Sequence, residues 1–377
     1  MLLHQGRHAT QHGRRQLFGR LFHLDHLEAT GQGRVLLKVL LVLTPGRGRN
    51  GAQLPARQSR LEQVGRIVLP RLPTRTDHRE RADALLNTIL PHTGKSFRLG
   101  ISGVPGVGKS TLIENLGLYL IKQGHRVAVL AIDPSSSLSG GSILGDKTRM
   151  ELLSVNENAF IRPSPSSGTL GGVAERTREV MLLAEAAGHD VVIVETVGVG
   201  QSEIAVAGMT DLFMLLQLPN AGDDLQAIKK GVMEIADLIV INKADIDPDA
   251  ATRAQAFISS SLRLMGFQGN PDHATHVKEE WHPTVLRMSA LLGHGIEELW
   301  SEVKRFQKLE TANGHLQERR KQQASSWMWE RINSALKSQF KNHPAVQRLL
   351  PEMSTAVNQG SIAPSVAARR LLEAMKL

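Results

Sequence analysis

Gly103-Val-Pro-Gly-Val-Gly-Lys-Ser110 lies between an apolar stretch and an apolar helical pattern. It fits G-x-x-x-x-G-K-[ST], in which glycines let backbone N–H groups converge on phosphate oxygens. The N-terminus of the following helix adds partial positive charge. We expect Lys109 to bind the β- and γ-phosphates, Ser110 to bind Mg²⁺ and Thr111 to contact the α-phosphate. The predicted phosphate loop is Gly103, Val104, Pro105, Gly106, Val107, Gly108, Lys109, Ser110 and Thr111.

A second pattern, Asn242-Lys-Ala-Asp245, ends another apolar stretch downstream and predicts guanine selectivity. The Asp245 carboxylate accepts hydrogen bonds from both N1–H and the N2 amine, a pair of donors that adenine lacks. Lys243 is expected to pack its stem over the base, and Asn242 to brace the loop. A companion loop is expected to supply a backbone N–H for guanine O6, and it consists of Ser289, Ala290 and Leu291. These loops predict that the chain binds GTP or GDP together with Mg²⁺.

Two candidate metal-binding acids follow the phosphate loop in sequence. Asp133 ends the second predicted strand, where it holds Mg²⁺ through water or caps the turn before Pro134. Asp146 lies in a Ser- and Gly-rich loop of the kind that orders around a γ-phosphate. It orients the metal or the attacking water, or it is a solvated loop charge.

The pattern Glu195-Thr-Val-Gly198 ends a further strand, where many GTPases have Asp-x-x-Gly. Glu195 is a third candidate metal ligand, and the Gly198 N–H is placed to sense the γ-phosphate. Val199 follows at the position where Ras-like proteins have a water-orienting Gln. Because such a group contributes strongly to the rate, we expect slow unaided hydrolysis.

From Phe97 onward, apolar strands alternate with helices, which predicts an α/β fold with a mostly parallel sheet flanked by helices. The predicted strands are 97–102, 126–132, 159–162, 190–196, 211–218, 237–242 and 284–289. The predicted helices are 109–123, 173–187, 226–235, 249–264 and 296–306. Ligands of such sheets gather at the carboxyl ends of the strands, where all the patterns above lie.

Charge and composition divide the 377-residue chain unevenly. Residues 1–73 hold twelve Lys and Arg but three Asp and Glu, so they account for the whole formal charge of +9. The balanced remainder, with four Trp and one Tyr, gives little support to nucleic-acid binding. There is no Cys, no apolar run that would span a bilayer and no secretory pattern, so we expect a cytoplasmic protein without membrane association.

The predicted organisation has four parts. Residues 1–73 form an atypical basic segment, either disordered or inauthentic, whose His4, His8 and His12 are a weak candidate for metal binding. Residues 74–96 form a helical lead-in, 97–308 the nucleotide-binding domain, and 309–377 a C-terminal helical region. Apolar residues at helical spacing in that last region, such as Met328, Ile332 and Leu336, need a partner surface or pack back on the parent domain.

From about Asp77 to the C-terminus, the chain resembles the MeaB/ArgK-type GTPases. The resemblance rests on the phosphate loop and on four further strings: Asp133-Pro-Ser-Ser-Ser137, Gly141-Ser-Ile-Leu-Gly-Asp-Lys-Thr-Arg-Met150, Glu195-Thr-Val-Gly-Val-Gly-Gln-Ser-Glu203 and Asn220-Ala-Gly-Asp-Asp-Leu-Gln-Ala-Ile-Lys-Lys-Gly231. It implies a GTPase chaperone of an adenosylcobalamin-dependent acyl-CoA mutase such as methylmalonyl-CoA mutase. It also implies that the protein is a homodimer formed through the C-terminal helices. The metal and catalytic acids would be Asp133, Asp146 and Glu195, and Lys229 would couple the nucleotide state to the mutase.

Two other functions compete with this interpretation. An older description of the same family is a kinase of periplasmic amino-acid-binding proteins, but no substrate-hydroxyl base pattern is present. A nickel-insertion GTPase shares the scaffold, yet the chain lacks the Cys that such metal sites usually contain.

Overall fold

The computed structural model of the chain describes residues 76–133, 150–165, 170–196, 202–220, 230–264 and 280–375. The segment 1–73 lies outside these ranges, and so do Asp146, Gly198 and Lys229. For Asp133 the structure describes the backbone alone. No helix in the described ranges has the length and apolar character needed to cross a membrane.

Strands and helices alternate along the described residues. The strands are β1 Phe97–Gly103, β2 Val127–Asp133, β3 Ala159–Pro165, β4 Val191–Thr196, β5 Leu212–Gln217, β6 Leu238–Ile241 and β7 Thr284–Arg287. The helices are α1 Thr76–Ile89, α2 Lys109–Lys122, α3 Glu151–Ser154, α4 Leu170–Ala186, α5 Ser202–Ala207, α6 Lys230–Glu234, α7 Pro248–Leu264, α8 Ile296–Asn313, α9 His315–Asn342, α10 Pro344–Asn358 and α11 Pro364–Ala374. The short helices α3 and α5 were not predicted from the sequence.

The seven described strands form one sheet in the order β3-β2-β4-β1-β5-β6-β7, and every pairing is parallel. The predicted α/β fold with a parallel sheet is therefore confirmed. The strand that leads into the phosphate loop, β1, lies between β4 and β5. Because all strands run the same way, the loops after β1, β2, β4, β6 and β7 meet at one edge.

Both faces of the sheet are covered by apolar side chains. On one face, Leu99 and Ile101 of β1 belong to a buried cluster with Leu116 of α2 and Phe306 of α8. On the other face, alternate strand residues belong to a second cluster that includes side chains of α4 and α7. Burial on both faces explains why the strands have continuous apolar sequences and why their existence could be predicted.

The opposite edge of the sheet is held by a buried polar network around the end of α4. The Glu185 carboxylate accepts hydrogen bonds from the Gly94 N–H at 2.7 Å and from Arg98 Nε and Nη2 at 2.7 and 3.2 Å. The Ser96 hydroxyl donates to the carbonyl of His189. These contacts fasten the segment before β1 to the end of α4, away from the nucleotide loops.

His189 is buried in this network as a neutral imidazole. Its Nδ1–H donates to the Ala184 carbonyl at 3.0 Å, because a carbonyl only accepts. Burial, together with the nearby charge of Arg126, lowers the pKa of His189 to about 4. The unfolded chain binds this proton below its ordinary pKa of about 6.5, whereas the folded chain does not until about pH 4.

We therefore expect the protein to lose stability as the pH falls from about 6.5 towards 4. Between pH 7 and pH 5, His189 should lower the free energy of unfolding by about 2 kcal/mol. Urea unfolding at both pH values measures the loss. In His189→Asn, which keeps a neutral donor near Nδ1, the pH dependence should shrink, and an unchanged dependence would assign the loss to other groups.

The second compact unit begins at Glu318, and the first ends at Gln317. In the second unit, α10 and α11 enclose a small buried core of Val346, Met353, Ala367 and Leu371. Four apolar side chains on α9 are instead exposed: Met328, Trp329, Ile332 and Leu336. Their spacing places them along one face of the helix.

Candidate nucleotide site

The phosphate loop joins β1, in the middle of the sheet, to the N-terminus of α2. Val107 is fully buried and anchors the loop, and its N–H donates to the Val104 carbonyl at 3.2 Å. Gly106 and Gly108 have φ angles of 78° and 98°, which side chains with a Cβ rarely adopt. The helix begins directly after Gly108, whose carbonyl accepts from the Leu112 N–H at 2.9 Å. The backbone of the loop and the positive N-terminal end of α2 therefore lie together, which is the arrangement of an anion-binding site.

The Lys109 side chain folds back across this loop. Its Nζ donates to the Gly103 carbonyl at 2.6 Å and to the Val104 carbonyl at 3.1 Å. These two carbonyls belong to the first two residues of the loop and hold the ammonium group against it. A phosphate bound by the loop would therefore meet a positive charge that is already in place.

The ends of the neighbouring strands bring acidic residues to the same edge. Glu195 is buried near the end of β4, in register with Ile101 of β1 and Ala131 of β2. The next residue, Thr196, shares a hydrogen bond of 2.9 Å with Ser102 of β1 through their hydroxyl groups. The backbone of Asp133 ends β2, one strand away from Glu195.

The side chains described at this edge offer oxygen atoms, which are the type of ligand that Mg²⁺ prefers. The Ser110 hydroxyl lies in the first turn of α2 and the Glu195 carboxylate near the end of β4, and Mg²⁺ prefers such oxygen ligands. Within the described residues, no group of three or more Asp, Glu and His side chains forms a metal cluster. Mg²⁺ that keeps water and nucleotide phosphates as ligands needs only one or two protein carboxylates.

Asn242 connects the phosphate loop to the two loops expected to bind the base, here called the base loops: Asn242–Asp245 after β6 and Ser289–Leu291 after β7. Its buried side chain donates from Nδ2 to the Val107 carbonyl at 2.8 Å and accepts at Oδ1 from the Ala290 N–H at 2.9 Å. One amide therefore bonds the loop after β1 and the loop after β7, while its own backbone follows β6. These contacts fix the separation between the expected phosphate and base positions.

The turn after Asn242 exposes the carboxylate of Asp245. Lys243 has a φ of 61°, and the next N–H, that of Ala244, donates to the Met288 carbonyl at 3.0 Å. The turn ends where Asp247 Oδ1 accepts from the Ala250 N–H at 2.9 Å at the start of α7. Both ends of the turn are thus fixed, while Asp245 faces solvent between them.

The loop after β7 is held by a second amide, from Asn115 of α2. Asn115 Nδ2 donates to the Ala290 carbonyl at 2.8 Å and to the Thr111 carbonyl at 3.2 Å. Sequence reasoning missed this residue, because an Asn inside a helix carries no local signal of a contact 175 residues away. A pocket of about 480 Å³ also adjoins these loops, with Asp245, Ser289 and His294 in its wall.

The structure thus places the phosphate loop, Glu195 and the two base loops at the carboxyl edge of one sheet. An all-parallel sheet with such a loop between its central strand and a helix defines a P-loop nucleotide-binding protein. The remaining predicted residues, Asp146, Gly198 and Lys229, lie outside the described ranges, as does the side chain of Asp133.

Comparison with known proteins identifies the family. Residues 68–345 match the family model described as Methylmalonyl Co-A mutase-associated GTPase MeaB. The chain is 54% identical over 303 residues to a putative GTPase of Caulobacter vibrioides, covering 80% of this chain and 90% of that protein. It is 44% identical over 330 residues to GTPase ArgK of Escherichia coli, covering 86% and 97% respectively. The chain therefore belongs to the MeaB family of GTPases, and the resemblance inferred from the sequence is confirmed.

A comparison with solved structures shows that the similarity extends to the fold. A crystal structure described as an LAO/AO transport system kinase has 38% sequence identity and a TM-score of 0.63. The match covers 85% of this chain and 95% of that one. The fold is thus shared with a relative that the match covers over nearly its whole length.

Proposed function

We propose that this GTPase is a chaperone that gates adenosylcobalamin loading of a methylmalonyl-CoA mutase, or a related acyl-CoA mutase, and protects it. The observation that carries the proposal is the match of residues 68–345 to a mutase-associated GTPase family. The Asn242 bridge between the phosphate and base loops supports the nucleotide part. We propose GTP and GDP as ligands and Mg²⁺ as the metal.

In this proposal, different described residues bind the phosphates, the metal and the base of the nucleotide. Lys109 binds the β- and γ-phosphates, Thr111 contacts the α-phosphate, and Ser110 holds Mg²⁺. Asp245 binds the guanine edge, and Lys243 packs over the base. When bound, Mg²⁺ neutralises charge that develops between the β- and γ-phosphates.

The hydrolytic part of the proposal assigns the three acids to the metal and water. These acids are Glu195, Asp133 and Asp146. The structure describes the side chain of Glu195 alone among them, and it is buried beside β1. Val199 occupies the position of the water-orienting Gln, so the site lacks one positioning group of its own. A partner that completes such a site accelerates hydrolysis, by about 10³–10⁵ where it supplies an arginine finger. We therefore expect the protein alone to hydrolyse GTP slowly and the mutase to accelerate this hydrolysis.

Stimulation by the mutase is the test. We expect phosphate release from GTP to rise at least about tenfold when the purified client mutase is added. Lys229→Ala should lose most of this stimulation while still binding GTP, because a cation near the γ-phosphate stabilises transition-state charge. Lys337→Ala, on α9, is the charge-matched control and should respond to the mutase like the unmodified protein.

The same assay separates the proposal from its competitors. The kinase alternative has support from the description of the related crystal structure, and it requires transfer of γ-phosphate to a protein rather than to water. Labelled phosphate on an amino-acid-binding protein, with none released, would favour it. An unchanged rate with the mutase present would contradict the chaperone proposal.

The exposed apolar face of α9 supports a homodimer. Met328, Trp329, Ile332 and Leu336 lie along one face of a helix that has no buried residue, and a second copy of this face would cover them. Sedimentation of the full chain at micromolar concentration tests this, and a monomer would contradict it. The domain boundaries and the cytoplasmic location given above stay predictions.

A further inference from the structure

Two hydroxyl groups join β1 to β4 where the paired part of these strands ends. Ser102 Oγ and Thr196 Oγ1 are 2.9 Å apart and share one hydrogen bond, and both residues are fully buried. The last residues that pair between the two strands are Ile101 and Glu195, one position earlier along each strand. The hydroxyl bond therefore extends the connection between β1 and β4 by one residue towards the phosphate loop.

Beyond this bond, each strand pairs with a different neighbour. β1 continues against β5 as far as Gly103, which pairs with Leu216. The two backbones are so close there that a Cβ on Gly103 would lie 2.7 Å from the Leu216 carbonyl oxygen. β4 instead ends against β2, where Thr196 pairs with Ile132. The sheet thus divides between β1 and β4 at its carboxyl edge, and the hydroxyl pair lies at this division.

Glu195 and the hydroxyl pair lie on opposite faces of the sheet, because successive strand residues alternate between its faces. Ile193, two residues before Glu195, packs in the core cluster that contains side chains of α2, whereas Val194 packs in the cluster on the other face. Glu195 therefore lies on the same face as α2, whose first turn contains Ser110. Thr196 follows Val194 in the alternation, so the hydroxyl pair lies on the face away from a metal bound by Ser110 and Glu195.

We propose that Ser102 is a positioning residue for the Mg²⁺ site and acts on Glu195 through Thr196. Backbone pairing with Ile101 holds Glu195 itself, and the hydroxyl bond holds the residue after it against β1. Together these contacts keep the Glu195 carboxylate beside the strand that enters the phosphate loop. Residues that orient a metal ligand without touching the metal help to set metal affinity. The inference rests on the proposed binding of GTP and Mg²⁺.

The test measures metal affinity through nucleotide binding rather than through hydrolysis. Dissociation constants of a non-hydrolysable GTP analogue are measured over a series of Mg²⁺ concentrations and in excess EDTA. Ser102→Ala removes the hydroxyl group and little volume. We expect the Mg²⁺ concentration that gives half of the gain in affinity to rise at least about fivefold, the size of one hydrogen bond. The dissociation constant in EDTA should stay unchanged, because the phosphate loop keeps its contacts.

Ser96→Ala provides the matched control at the opposite edge of the sheet. The Ser96 hydroxyl donates to the His189 carbonyl and so joins the segments that precede β1 and β4. Ser96 is also buried, so both substitutions should lower the melting temperature to a similar extent. Only Ser102→Ala should change the Mg²⁺ requirement. An equal shift in both variants, or no shift in Ser102→Ala, would show that the hydroxyl bond only stabilises the sheet, and the proposal would fail.

Substitutions of Thr196 decide the matter even if Ser102→Ala does not fold. Thr196→Val keeps the shape of the side chain without its hydroxyl, whereas Thr196→Ser keeps the hydroxyl and loses a methyl group. The Mg²⁺ requirement should rise more in Thr196→Val than in Thr196→Ser, and the reverse order would overturn the proposal. Because Ser102→Ala and Thr196→Val remove the same bond, their effects should not add in the double variant.

The unmodified protein separates this inference from the proposed function. If binding of the analogue does not respond to Mg²⁺ at all, the proposed metal site fails and this inference fails with it. A normal response to Mg²⁺ in the unmodified protein, with the same response in Ser102→Ala and Thr196→Val, would overturn the positioning role of Ser102 alone.

Discussion

Asp245→Asn is expected to lower the affinity for GTP at least a hundredfold and to create binding of xanthosine triphosphate. The Asp245 carboxylate is exposed in a turn whose two ends are fixed by hydrogen bonds, so it is presented to a base without moving. Two hydrogen bonds to a charged group are worth about 3 kcal/mol or more together. An asparagine instead places an N–H₂ where xanthine has its second carbonyl.

The measurement is a pair of titrations, with GTP and with xanthosine triphosphate, for both proteins. Asp249→Asn is the matched control, because Asp249 is an exposed carboxylate in the first turn of α7 and the change removes the same charge. It should leave both affinities unchanged. Equal binding of ATP and GTP by the unmodified protein would remove the basis of this prediction.

The sequence was sufficient for the parts of the fold that depend on local pattern. Strands such as Val191–Thr196 and Leu212–Gln217 are buried on both faces, so their apolar runs stand out against the helices that flank them. The phosphate loop was equally visible, because its glycines and Lys109 are needed at fixed offsets along the chain. In each case the determining residues are neighbours in sequence.

Contacts between distant residues could not be predicted in the same way. Asn115 and Ala290 are 175 residues apart, and nothing in the helical pattern around Asn115 marks it as different from a solvated residue. The buried pair of Glu185 and Arg98 is similar, because these ordinary charged residues become buried only when the fold brings the end of α4 beside the start of β1. The helix Ser202–Ala207 is too short to establish a periodic signal.

The contact between Gly108 and Asn242 leads to the last prediction, in which two glycine substitutions in one loop have different outcomes. Gly106 and Gly108 both have positive φ angles, so alanine at either position costs about 1 kcal/mol in backbone strain. A Cβ at Gly106 meets no atom within 4 Å, whereas a Cβ at Gly108 collides with the Asn242 side-chain amide.

Gly108→Ala must therefore displace Asn242 from its bonds to the Val107 carbonyl and the Ala290 N–H. With about 1 kcal/mol for each lost bond, the total destabilisation reaches about 3 kcal/mol, against about 1 kcal/mol for Gly106→Ala. Without nucleotide, we expect the melting temperature of Gly108→Ala to fall by about 6 °C or more, and that of Gly106→Ala by about half as much or less.

The affinity for GTP should separate these two variants further. In Gly108→Ala the phosphate and base loops lose the amide that joins them, so GTP affinity should fall at least a hundredfold, even below the melting temperature. The double variant Gly108→Ala/Asn242→Ala removes the amide that the new methyl group strikes. Because the collision is then absent, adding Gly108→Ala to Asn242→Ala should cost only the backbone strain, about 1 kcal/mol. Fully additive losses in that cycle would show that Gly108→Ala does not act through Asn242, and the collision with the amide would then not explain its effect.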